Sequence, residues 1–172
     1  MRLDVDFFRQ DVLVVASSLL GKVLVRRFND GREERFVIVE TEAYRGEEDG
    51  ACHASKGRTS RTEVMYHEGG VVYVYLIYGM YWMLNIVTGQ NDEPQAVLIR
   101  AVKNIDGPGR VGKVLHLDKS FYGESIVISS RLWIEDSKEI VAGTVRRTER
   151  IGIDYAPEEW RNKKWRFEWL MP

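Results

Sequence analysis

Val72-Tyr73-Val74-Tyr75-Leu76-Ile77-Tyr78-Gly79-Met80-Tyr81-Trp82-Met83-Leu84-Asn85 lies within residues 71–87, a run without a single charged side chain. Two readings compete for it. Seventeen uncharged positions is the short limit of a membrane-spanning helix, whereas a Val- and Tyr-rich run is also strand-forming. Tyrosines at 73, 75, 78 and 81 are spread through its length, and spanning helices keep theirs near the interfaces. Gly79 and Asn85 also fit a membrane span badly. The run therefore reads as a β-hairpin turning at Gly79 to Tyr81, and no membrane anchor is expected. With that turn, residues pair when their numbers sum to 160, which sets Tyr75 opposite Asn85 on one face. A buried hairpin suits Val72, Val74 and Trp82. It does not suit Tyr78, which falls at the tip where a core cannot cover it. An exposed aromatic there fits insertion between nucleic-acid bases or a protein interface.

On either side of the hairpin the pattern is mostly of strands. Residues 6–20 repeat apolar side chains at three- and four-residue spacing, with Asp4 or Asp6 to cap a helix and Gly21 to end it. Residues 22–28 and 35–45 are β-rich runs joined through the turn signal Asn29-Asp30-Gly31. Residues 46–70 are loop-rich, with room for one short helix. Residues 95–103, 126–134 and 165–169 read as further strands, and Gly107-Pro108-Gly109 as a tight turn. Consecutive strands with few helices predict an α+β fold, a single domain over residues 1–172 built on a curved, mainly antiparallel sheet.

Composition narrows the class. The 172 residues are 44% hydrophobic and 30% charged, which suits one globular domain. Lys and Arg number 25 against 26 Asp and Glu, which excludes a globally basic nucleic-acid coat but not local patches. Residues 33–49 hold seven acids and two bases, whereas residues 51–62 hold Lys56, Arg58 and Arg61 with no acid. Glycine-bearing loops rich in arginine are where phosphate contacts are made; solvated surface loops are the plainer reading. The lone Cys52 excludes a disulfide framework or a Cys-rich zinc fold. The N-terminal Met-Arg-Leu-Asp-Val-Asp has no apolar signal-peptide core, so the expected compartment is the cytosol.

Several residues could carry chemistry. If residues 36–44 alternate strictly, Phe36, Ile38, Glu40, Glu42 and Tyr44 share a face, and an apolar face then turns into two carboxylates. Buried carboxylates need partners and often have pKa values tuned for proton transfer; a solvated strand end is the alternative. Cys52 and His53 adjoin, but neighbouring side chains in an extended segment diverge, which argues against a nucleophilic pair. Glu40, Glu42, His53 and His67 lack the regular spacing of metal-binding helices, so no metal or other cofactor is expected. Arg100, inside the apolar run Val97–Val102, needs acceptor oxygens, from an internal carboxylate or from a phosphate.

Taken in order, Glu40-Thr41-Glu42-Ala43-Tyr44-Arg45-Gly46, Asp49-Gly50-Ala51-Cys52-His53, Gly57-Arg58-Thr59, Tyr73 to Tyr81 with Asn85, and Leu98-Ile99-Arg100-Ala101 resemble the alkyladenine (3-methyladenine, N-methylpurine) DNA glycosylase family. Weaker similarity continues through Gly107-Pro108-Gly109, Arg150-Ile151-Gly152-Ile153 and Arg166-Phe167. The resemblance implies a single mixed α/β domain that removes alkylated purines from DNA. It implies Glu42 as the general base that activates water, and Arg100 as a phosphate-binding partner nearby. Tyr44, His53 and Tyr75 become walls of a flipped-base pocket, Tyr78 the finger that fills the gap in the duplex, and Asn85 the residue that rejects normal guanine. The implied partner is duplex DNA carrying damaged purines, and a monomer is expected. No lysine stands beside the pocket residues in the sequence, so a Schiff-base intermediate and strand cleavage are not expected.

Overall fold

The structure, a computed structural model, describes residues 1–137 and 143–171. Among them are helices α1 (Val5–Phe8), α2 (Val12–Ser18), α3 (Pro108–Val114) and α4 (Glu158–Arg161). The strands are β1 (Val23–Arg27), β2 (Glu33–Arg45), β3 (Val72–Ile77), β4 (Tyr81–Val87), β5 (Gln95–Val102), β6 (Ile105–Asp106), β7 (Leu132–Glu135), β8 (Thr144–Thr148) and β9 (Arg166–Leu170). Every pairing between these strands is antiparallel. Along the main path the order is β3-β4-β5-β2-β1-β7, with β6 on β5 and β8 on β9. The α+β class expected from the sequence is what the structure shows.

The spine is β2. One of its edges pairs with β5; the other pairs with β1 as far as Val37 and with β9 from Glu40. At that changeover the β2–β5 register is irregular between Ile38 and Thr41, and such a bulge re-aims side chains. Ile38 and Ala43 therefore both enter the main core, with Val97, Ile99 and Val102. This corrects the strict alternation that put Ile38 on the face of Glu42. Below the irregularity, Thr41 points to the core, where its hydroxyl donates to the Ala16 carbonyl of α2 at 2.8 Å, and Glu40, Glu42 and Tyr44 turn to the opposite side. One local kink thus converts a core strand into a wall of the site.

Other expectations also need correcting. Residues 6–20 are not one helix: α1 and α2 are separate, capped by Asp4 and Asp11, whose carboxylates accept from the Phe7 and Leu13 amides. Asp11 restarts the helix by taking an amide that a continuous helix would have bonded internally. Gly107-Pro108-Gly109 is the start of α3, with Gly107 at the cap and Pro108 in the first turn. Residues 126–131 are turn, and the strand spans only Leu132–Glu135, because the Ser129 hydroxyl accepts from the Arg131 and Leu132 amides and folds the chain back. The loop of residues 46–70 holds two short 3-10 turns, His53–Lys56 and Glu63–Tyr66, rather than one helix. The strand-like runs 22–28, 35–45, 95–103 and 165–169 correspond to β1, β2, β5 and β9.

The uncharged run forms β3 and β4, and no helix among the described residues is long and apolar enough to cross a membrane. Its register differs from expectation by two residues: Ile77 pairs with Tyr81, Tyr75 with Met83 and Tyr73 with Asn85. The reason is the turn, which centres on Gly79, where both Tyr78 (φ 53) and Gly79 (φ 65) are left-handed. A shift of two leaves every side chain on its expected face. Tyr75 and Asn85 therefore still look the same way, now as diagonal neighbours.

Helix α3 braces the hairpin from behind. A Cβ at Gly112 would sit inside the backbone carbonyl of Trp82 on β4, so only glycine permits this approach. Gly112→Ala should prise α3 from β4 and lower stability by about 2 kcal/mol or more, read as a fall in the urea midpoint. An unchanged midpoint would mean that the two backbones do not meet this closely.

Candidate active site

Beneath the hairpin lies a cavity of about 320 Å³. Each of its walls comes from a different element. β2 supplies Tyr44, β3 Tyr75, β4 Asn85, β5 Arg100 and the first 3-10 turn His53, and Tyr78 reaches its rim from the hairpin tip. Six of the seven residues singled out in the sequence therefore border one cavity. Glu42, the seventh, does not border it: its side chain is wholly buried behind the wall.

Glu42 touches the cavity through its partners. Tyr44 Oη donates to Oε1 at 2.9 Å, the Ile151 amide donates to Oε2 at 2.6 Å, and Arg100 Nη1 lies 3.3 Å from Oε1. Tyr44, Arg100 and Ile151 all border the cavity. Burial raises the Glu42 carboxyl above its ordinary range, and Arg100, the Ile151 amide and the Tyr44 hydroxyl pull against that rise. The same burial, with Glu42 beside it, lifts the Tyr44 hydroxyl well above 10. Tyr44 is thus a firm proton donor to Glu42.

Of the two partners open to Arg100, the structure shows carboxylates: Nε reaches Glu40 Oε1 at 3.0 Å, in addition to the Glu42 contact. Glu40 also accepts from Arg166 Nε of β9 at 2.6 Å. The two glutamates of β2 are therefore bridged by one guanidinium.

The aromatic wall is held by its own contacts. His53 Nδ1 lies 2.9 Å from Tyr73 Oη, and its ring meets that of Tyr75 edge-on with centroids 4.6 Å apart. Burial, then the charges of Arg61 and Lys56, push His53 down to about 4, so it is a neutral ring at neutral pH. Asn85 is buried and donates through Nδ2 to the Tyr73 carbonyl at 3.2 Å, which fixes its amide. Tyr78 is 89% exposed, as its place at the tip required. Burial pushes the Cys52 thiol up to about 12, which keeps it protonated and unlike a nucleophile. The four residues weighed as a metal site each have other partners: Glu40 holds Arg100 and Arg166, Glu42 holds Tyr44, Arg100 and the Ile151 amide, His53 meets Tyr73, and His67 faces Glu63; no group of three or more such side chains gathers among the described residues.

Sequence reasoning missed several residues. Ile151 supplies an amide and Tyr155 a wall, its hydroxyl donating to the Ala51 carbonyl at 2.7 Å. Behind Tyr44 lies a wholly buried pair, Arg150 and Asp49, with contacts of 2.6 and 2.9 Å. The Arg150 guanidinium stacks 4.8 Å from the Tyr44 ring centre and 5.0 Å from that of Trp165. Arg61 borders the cavity over Tyr75. The sequence signals for these residues were the Asp49–His53 motif, the short Arg150–Ile153 likeness and the acid-free stretch around Arg61.

A family model described as methylpurine-DNA glycosylase matches residues 6–106 and 103–170. A protein of Natranaerobius thermophilus is 41% identical, with 97% of this chain and 94% of the relative covered. One of Psychrobacter cryohalolentis is 43% identical, with coverage of 90% and 87%, and one of Methanocella arvoryzae is 43% identical, with coverage of 94% and 89%. All three carry the provisional designation 3-methyladenine DNA glycosylase. The two matched segments together span nearly the whole chain, so the chain belongs to the methylpurine-DNA glycosylase family.

Proposed function

We propose that this protein is a monofunctional DNA glycosylase for alkylated purines of the 3-methyladenine type, acting in base excision repair. The observation that carries this reading is the Glu42 carboxylate, held by Tyr44, Arg100 and the Ile151 amide against an aromatic cavity the size of a small-ligand site. Hydrolysis of an N-glycosidic bond builds positive character on the sugar. A fixed carboxylate both stabilises that charge and takes a proton from water. The water enters where Arg100 and Ile151 meet the cavity, since both groups border it and both contact Glu42.

The target base must leave the stack first, at a cost of a few kcal/mol that is lower for a damaged base. A purine alkylated on a ring nitrogen is cationic, which makes it a better leaving group and a better partner for the Tyr44 and Tyr75 rings. In this reading Asn85 rejects the exocyclic amino group of normal guanine, supported by the hydrogen bond that holds its amide to the Tyr73 carbonyl. Among the described residues no lysine borders the cavity, which favours simple hydrolysis to an abasic site over a Schiff base. Incubating methylated DNA with the protein in EDTA and assaying free purine tests the reaction: release is expected, and binding without release would make the protein a damage-recognition module instead.

Tyr78 gives an independent test of extrusion. With its ring in solvent at the hairpin tip, Tyr78→Ala should lower affinity for lesion-bearing duplex by about 10-fold, the worth of one stacking contact. Affinity for the same strand unpaired should change little, because no gap needs filling there. Equal losses in fluorescence-anisotropy titrations of the two DNAs would remove Tyr78 from the extrusion step.

A further inference from the structure

Two arginines border the cavity, and they are held differently. Arg100 is matched by Glu40 and Glu42. On the loop beside the aromatic wall, Arg58 is likewise matched, by Glu63 at 2.7 Å and Asp92 at 3.0 Å. Arg61, three residues on, forms no ion pair among the described residues; its side chain hydrogen-bonds the neutral Tyr73 hydroxyl, and its guanidinium carbon lies 5.2 Å from the centre of the Tyr75 ring. Its backbone is pinned, since Tyr122 Oη donates to its carbonyl at 2.9 Å. Its charge acts on the rings of the wall. It adds to the burial that keeps His53 neutral, and it opposes the burial that raises the Tyr75 hydroxyl to about 12.

We propose that Arg61 assists the leaving group: an unpaired cation at the aromatic wall that stabilises the electron pair arriving on the departing purine. The proposal rests on the glycosylase reading above. When the bond from C1′ to the purine nitrogen breaks, both electrons go to the purine. The water oxygen bonds to C1′ and its proton passes to Glu42. Whatever its initial charge, the purine ends one unit more negative. A cationic methylpurine leaves neutral; a neutral purine such as hypoxanthine leaves as an anion and then takes a proton from solvent.

A positive charge beside the base favours that change in both cases, but at different stages. Arg61 repels a bound cationic purine, and the repulsion disappears as the bond breaks. It is indifferent to a bound neutral purine and attracts the anion that forms. Counted from free protein and DNA to the transition state, Arg61 therefore gains nothing on the cationic base and helps the neutral one. Lesion choice between cationic and neutral purines is set in part by this side chain.

The test measures single-turnover rate and affinity for duplexes carrying one 7-methylguanine or one hypoxanthine, using wild type, Arg61→Gln and Arg61→Lys. For hypoxanthine, the rate divided by Kd should fall roughly 10- to 100-fold in Arg61→Gln, the range of one lost electrostatic donor reduced by solvent screening. For 7-methylguanine it should stay within about 2-fold, because tighter binding offsets slower chemistry. Arg61→Lys keeps the charge and should retain most of the hypoxanthine activity. An equal loss on both duplexes would make Arg61 a phosphate contact and overturn the proposal. So would a wild-type rate on hypoxanthine no faster than that of Arg61→Gln. Failure of the glycosylase reading shows separately, as no release of 7-methylguanine by the wild type.

Discussion

Glu42→Gln is expected to slow release of methylated purines by about 10²–10⁴-fold, the usual contribution of a positioned general base, while affinity for lesion-bearing duplex stays within about 3-fold, well inside one tenfold step of binding energy. Glutamine keeps the shape, an acceptor for the Ile151 amide and a group that can meet the Tyr44 hydroxyl. Arg100 keeps Glu40. What goes is the negative charge and the ability to take a proton. Folding should not suffer. Burial raises the Glu42 carboxyl, so its charged form is the one the fold penalises, and stability is lost as pH rises through the raised value. An amide carries no such penalty, and the variant should be at least as stable as wild type at neutral pH. Single-turnover assays with trapped lesion duplex read the rate, and anisotropy reads the binding. Release at the wild-type rate would reject Glu42 as the base.

The same burial predicts a pH profile. Catalysis by this route needs the carboxylate, so the rate should fall as pH drops, and the fall should begin above the range where an ordinary glutamate protonates. His53, at about 4, is already neutral where Glu42 titrates and adds no step near neutrality. The acid limb should therefore belong to Glu42 coupled to Arg100 and Tyr44. A limb that persists in the residual activity of Glu42→Gln would assign it elsewhere.

What the sequence made legible was local. Residues 71–87 read as a hairpin because uncharged Val and Tyr alternate around a glycine, and β2 read as a strand from its β-branched run. Its two glutamates stood out because carboxylates in such a run need partners. Left out was whatever depends on how distant segments meet. The kink between Ile38 and Thr41 has no marker in its own residues; it follows from β2 exchanging β1 for β9 as a neighbour. Arg100 could have met a phosphate or a carboxylate, and the choice was made by β2 lying beside β5. The hairpin register slipped by two because a non-glycine residue, Tyr78, adopts a left-handed turn conformation. Arg150 carried only the weak likeness of residues 150–153, and nothing local marked Asp49, about a hundred residues away, as its partner.

Asp49→Ala should be the most damaging single substitution outside the catalytic group, lowering stability by about 3–5 kcal/mol, a large share of the 5–15 kcal/mol expected of a domain. Both partners of the Asp49–Arg150 pair are fully buried, so removing the carboxylate strands a guanidinium where water cannot reach it. Asp49 also accepts from the Arg45 and Ala51 amides, and Arg150 donates to the Ala43 and Trp160 carbonyls. The pair thus ties β2, the loop after it, α4 and the segment leading to Ile151 together at one point. Arg150→Met should cost a similar amount, through the unmatched carboxylate. The double substitution should cost less than the two single costs added, because neither charge is then left alone. Urea midpoints of the four proteins form the cycle. Additive costs would mean that water or a rearranged partner reaches Arg150, and that the Tyr44 ring is held from behind by packing rather than by this buried charge.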